Sequence, residues 1–309
     1  MTQRREQPNA ITVPSPAAVL LIALVAAAAG AGVLYVDWPF PKDDRGFTTT
    51  GPYFLWISLL CAGAALWAIA LFPVVASLRA LWRFGENRWR RVAVSTSAIA
   101  VMWFAVSAAS VLTRRSLRYK IPFDYVNAKL AVFNSVGGAV AICALLGMVL
   151  VHAGLMGIRL HVPSEAARDR SIEDLLLLRE HLQRLLVVEG AIIGAAVISY
   201  AALRNAVLAD SPEQPFPREL VLIYGGAFSI ALALVWAPIY ALSVAVGERV
   251  RDSIVGARGE EEAWPDWHRR QIDFADVLGL NRSASERFRS ALAILTPLGS
   301  ALISLLFNH

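Results

Sequence analysis

The chain has 309 residues, 57% of them apolar and 17% charged, and its mean hydropathy is +0.53. Soluble domains carry about a quarter charged residues and about half apolar ones, so an ordinary soluble globule is excluded. The composition reads as an all-α, multi-pass transmembrane helical bundle. The net charge of +5, from 29 basic and 24 acidic residues, is an anchoring excess and calls for no nucleic acid.

A crossing helix needs about 20 residues at 1.5 Å rise to traverse about 30 Å of hydrocarbon. After a cytoplasmic tail over 1–14, uncharged runs of 30, 33 and 22 residues predict spans near 15–36, 53–78 and 92–112. The first resembles a signal peptide in having Arg4 and Arg5 ahead of it, but it runs too long and ends on Tyr35, Asp37, Trp38 and Phe40, a retained interfacial anchor. A run of 29 residues predicts the fourth span near 131–157, which closes the first membrane block, 15–157. Small residues at Ser135, Ala139, Cys143 and Gly147 give that span a packing seam.

Residues 158–186 read as a cytoplasmic amphipathic helix opened by a Ser171 and Asp174 capping pair. Its leucines, Leu175, Leu178, Leu182, Leu185 and Leu186 among them, occupy more than one side, which points to more than one partner helix and favours self-association. No breaker separates it from the fifth span, near 187–207, so one continuous helix of about 40 residues is expected. With the extended sixth span, near 221–246, it would form a short cytoplasmic stalk; 187–246 is the second membrane block. The segment 247–289 reads as cytoplasmic and helical, with a short helix around Trp264 and Trp267 and a capping pair at Ser283 and Glu286. The stretch 290–309 is an apolar helix interrupted at Pro297, either a seventh span or one that re-enters or packs between its neighbours, so the total is six or seven.

Charge places the N-terminus inside. A cytoplasmic N-terminus puts 20 basic residues inside and nine outside. One loop disagrees: Arg114, Arg115, Arg118, Lys120 and Lys129 fall outside, which reads as an outer basic vestibule or a wrong span count. The 79–91 loop, with Arg83, Arg88, Arg90 and Arg91 beside Trp82 and Trp89, reads as a membrane-surface segment.

Enzymatic signatures are missing: there is no phosphate-binding glycine loop, no paired histidine on a helix, no Gly-x-Ser-x-Gly elbow, and neither a metal nor a cofactor is expected. Only 14 residues separate Glu189 from Arg204, too few to keep both charges clear of hydrocarbon. Both are therefore pore or gate candidates, with His152 near the inner end of the fourth span and the hydroxyl face Thr96, Ser107 and Ser110 of the third. For Glu189 the bland alternative is an interfacial carboxylate at the cytoplasmic edge, paired with Arg184 or water. Gly190 and Gly194, and Gly225 and Ser229, have the spacing of helix-packing seams.

The expectation is an integral membrane protein of a bacterial plasma membrane: an oligomeric ion channel or pore gated through its cytoplasmic helices, with lipid, ions or a small solute, further copies of itself and a cytoplasmic regulator as partners. Small multi-pass effectors of bacterial antiviral defence share that plan, as an analogy of layout alone. A small-solute transporter and a membrane assembly protein are the alternatives.

Overall fold

The computed structural model describes residues 15–35, 50–85, 92–93, 97, 124–158, 165–210, 212, 216–256, 263–280 and 284–306. Among them are seven helices and no strand: α1 (Pro16–Tyr35), α2 (Gly51–Gly85), α3 (Asp124–Leu155), α4 (Glu165–Asp210), α5 (Glu219–Val255), α6 (Trp264–Val277) and α7 (Ala284–Leu306). Four carry segments long and apolar enough to cross a bilayer, Gly51–Phe84, Val132–Leu155, Arg168–Asp210 and Glu219–Val255. Pro16–Gly32 and Ser290–Ile303 are shorter apolar stretches. The third expected span, 92–112, lies outside the described residues except at Val92, Ala93 and Ser97.

At the centre stands α4, packed against α2, α3, α5 and α7. It runs 46 residues without a break, through the junction where the amphipathic stretch meets the apolar one. Its start corrects the capping pair read from sequence: the helix begins at Glu165, so Ser171 lies inside it, and the Asp174 carboxylate binds Arg83 of α2 at 2.9 Å. The outer helix α1 rests on α2 and leaves Leu20, Leu21, Leu24 and Val25 exposed. α5 ends at Gly256, whose φ of 71° is the left-handed geometry that glycine adopts without strain.

Leu175, Leu178, Leu182, Leu185 and Leu186 are at most 2% exposed within the single chain. Leu178 and Leu185 sit over Gly154 and Gly147 of α3, and all five join one core cluster with residues of α2, α3 and α5. The leucines on several sides thus meet several helices of their own chain. They therefore give no support to self-association, because a helix at the centre of a bundle needs apolar residues all round without any second copy.

Candidate functional site

Contacts along α4 fix the depth of every neighbour. On α2 the Arg83–Asp174 ion pair and the 2.9 Å hydrogen bond between Ser77 Oγ and His181 Nδ1 set an antiparallel register. Glu189 lies eight residues beyond His181 and is therefore level with Ile69, eight before Ser77. Leu178 over Gly154 and Leu185 over Gly147 make α3 antiparallel as well, with Cys143 level with Glu189. The Ser243 carbonyl accepts from Arg179 Nη2 at 2.8 Å, which places Ala233 and Leu234 of α5 at the same depth. From α7, the Ala293 carbonyl touches the neighbouring Gly190.

Glu189 is completely buried, and neither carboxyl oxygen has a hydrogen-bond partner among the described residues. The expected pairing with Arg184 is not formed; Arg184 binds Glu180 at 2.5 Å, one turn along the exposed side of α4. Nineteen residues separate Arg184 from Arg204, so the two are about 30 Å apart along the helix, the thickness of a hydrocarbon core. Glu189 stands about 8 Å inside that stretch. Ala144, Leu186, Ile192 and Ala293, within about one turn of this depth, are buried and apolar.

α7 lies against Gly190, Gly194 and Gly225. A Cβ on Gly194 would fall 2.7 Å from Thr296 Cγ2, and one on Gly225 would fall 2.6 Å from the Pro297 carbonyl oxygen. Ser229 Oγ accepts from the Leu298 N–H at 3.2 Å, and Ser290 Oγ donates to Gln183 Oε1 at 3.0 Å. The C-terminal helix α7 packs in the groove of α4 and α5.

Arg204 is buried beside the turn into α5, where its Nε donates to the Phe216 carbonyl at 2.9 Å. That bond closes the turn. His152 is half-buried near the end of α3, and no group of three or more metal-ligating residues occurs among the described residues. Arg83 and Trp82 are exposed at the end of α2, the guanidinium standing 4.7 Å from the Phe84 ring centre. Thr96, Ser107, Ser110, Arg88, Trp89, Arg90, Arg91, Arg114, Arg115, Arg118 and Lys120 lie outside the described residues, as does the side chain of Lys129 within α3.

The sequence reading passed over three groups. Arg179 is buried, donates to the Leu278 and Ser243 carbonyls, and ties the end of α6 to α4 and α5. The Ser77–His181 pair is equally buried. Trp67 and Trp236 hold buried indole N–H groups without a partner among the described residues. Gly247, which makes room for the Arg179 guanidinium, was the available signal for the first group.

No family model, curated protein or solved structure matches this chain.

Proposed function

We propose that this chain moves a small cation across a membrane through its own helix bundle, with Glu189 as the group that carries it. The observation that supports this reading is Glu189 itself, a fully buried carboxyl without a hydrogen-bond partner among the described residues, set at the junction of four helices that surround α4. Ionisable groups inside a membrane span are costly and persist where ions or protons pass. A pore on a symmetry axis between copies would instead have Glu189 facing outward. In this reading the chain crosses six or seven times with a cytoplasmic N-terminus, and the Glu165 end of α4 projects into the cytoplasm beside α6.

The test is flux in proteoliposomes holding the purified chain and a trapped pH-sensitive dye, under an imposed potential and with proton, sodium and potassium gradients in turn. Wild type is expected to carry one of these ions, and Glu189→Gln, which keeps the shape and removes the charge, to lower the rate at least about tenfold. Equal rates for the two proteins would remove Glu189 from the path. A wild type that carries none of the three ions would favour the assembly-protein alternative.

A further inference from the structure

Just beyond Arg184, α4 is joined to α2 by a buried polar pair set in an apolar core. His181 Nδ1 and Ser77 Oγ stand 2.9 Å apart, with the histidine 5% exposed and the serine wholly buried. Val74 and Leu81 of α2 and Leu178, Leu182 and Leu185 of α4, which flank the pair along the two helices, are at most 2% exposed and share one core cluster. Apolar residues at both positions would continue that core and leave no polar group to satisfy. A buried polar pair adds less stability than such packing, and its best-attested use is to set a register or a switch.

Histidine adds a property of its own, because its charge changes near about pH 6.5. Neutral, the ring is satisfied by the Ser77 hydroxyl, which both donates and accepts. Protonated, it is a cation that the uncharged Ser77 does not neutralise, and a buried charge without a counter-charge is costly.

The surroundings do not supply that counter-charge. Burial opposes a cation at His181, Arg184 on α4 opposes it further, Glu180 favours it, and Arg83 on α2 opposes it again. Glu180 is the only carboxylate within four residues of His181 on α4 or of Ser77 on α2, and Arg184 already holds it. Arg179 and Arg79 stand two residues from His181 and Ser77 on the same helices. From α3, the half-buried His152 lies within one residue of this depth by the Leu178–Gly154 contact. From α5 the group at this depth is Tyr240, stacked on Trp236, and the stretch of α7 from Ser290 to Leu306 carries no titratable side chain.

Glu189 lies eight residues beyond His181, about 12 Å along α4. Between them come Leu182, Leu185 and Leu186, buried in the cluster that α2, α3, α4 and α5 share. Further out, the Arg83–Asp174 pair is exposed and adds little to the hold of α2 on α4.

We propose that the His181–Ser77 pair is an acid-opened latch over the Leu182–Leu186 layer: neutral His181 holds α2 to α4 and keeps water from Glu189, and protonated His181 breaks the pair and parts the two helices at this end. This rests on the ion-moving reading and supplies its regulation, since the path to Glu189 opens as the side facing His181 is acidified.

Spin labels at Trp82 and Leu176, exposed residues of α2 and α4 at one depth by the Ser77–His181 contact, report the spacing in the full chain once Cys61 and Cys143 are replaced. In lipid nanodiscs the distance is expected to lengthen by about 3 Å or more between about pH 7.5 and about pH 5.5, and to stay constant in His181→Gln, which keeps a hydrogen-bonding group and takes no proton. A constant distance in wild type, or a change that survives His181→Gln, would overturn the proposal. Two exposed neighbours test it again without touching the core: Arg184→Gln should raise the midpoint and Glu180→Gln lower it, each by about 0.3–1 pH unit. A midpoint that ignores both changes would overturn it equally. Flux in proteoliposomes should rise about tenfold over the same interval in wild type and not in His181→Gln. A spacing change without flux of any of the three ions would retire the transport reading and leave the latch standing. Flux that needs Glu189 but has the same pH dependence in wild type and His181→Gln would do the reverse.

Discussion

Gly190 of α4 lies against the Ala293 carbonyl of α7, the one that Pro297 leaves without a helical N–H. A missing side chain on one helix and a missing backbone bond on its neighbour thus meet at a single point, next to Glu189. Gly190→Ala would drive a methyl group into that carbonyl, and backbone on both sides limits relief. The expected loss is about 1–3 kcal/mol, outweighing the gain of about 0.5–1 kcal/mol from replacing a helical glycine. Thermal unfolding in detergent checks the sign. Gly226, one residue from the equally crowded Gly225, is the control: an added Cβ there meets nothing within 4 Å, so Gly226→Ala should raise stability.

The leucines of α4 make a second prediction. Leu182 is 2% exposed and Leu185 wholly buried in the single chain. Each Leu→Ala change should cost about 2–5 kcal/mol, with loss of helical signal at lower temperature. Native mass spectrometry of the folded fraction should then show the same stoichiometry as wild type. A clean drop to smaller assemblies with an unchanged melting temperature would mean that these residues hold copies together after all.

Arg179 is expected to act as a clamp. Its guanidinium supplies the Leu278 carbonyl in a place where Leu278 is wholly buried, so Arg179→Met would leave that oxygen without its donor. About 2–4 kcal/mol should be lost, and amides of 264–280 should exchange faster, because α5 is the main other support of α6 among the described residues. Arg179→Lys should recover only part of this, since an ammonium has no planar fork to reach Leu278 and Ser243 together.

Two links between α2 and α4 should respond very differently. Ser77 and His181 are buried, so Ser77→Ala strands a ring nitrogen and should cost about 1–3 kcal/mol at any ionic strength. The Arg83–Asp174 pair is 60% and 37% exposed in its side chains, and Arg83→Ala should cost at most about 1 kcal/mol, less as salt is raised. Melting temperatures of the two variants at low and high salt separate the cases.

Glu189 was legible because charge spacing is a one-dimensional property: 14 residues are too few to span between two charges, and that count needs no fold. The seams at Gly190, Gly194, Gly225 and Ser229 were legible for the same reason, as i, i+4 spacing survives without coordinates. Which surface fills them was not, since any helix with small residues and a groove would serve, and α7 rather than a second copy does so.

Register also sharpens the question of sidedness. Leu185 over Gly147 makes α3 antiparallel to α4, so Lys129 lies within one residue of the depth of Arg204, at the end where α4 turns into α5. α3 therefore begins at that end, and Arg114, Arg115, Arg118 and Lys120 directly precede it in sequence. Cysteines at Ser116 and at Ser211, introduced after replacing Cys61 and Cys143, should therefore react with an impermeant thiol reagent from the same side, whichever side it is. The charge rule makes that side external, with labelling of intact cells and no increase on lysis. Labelling at both sites only after lysis would keep the bundle and invert it, turning Arg114, Arg115, Arg118 and Lys120 into ordinary cytoplasmic anchors. Labelling from opposite sides would contradict the shared end itself. With the loop external, its charges would attract anions over about 8 Å at physiological salt, and anion binding there should weaken as salt shortens that length.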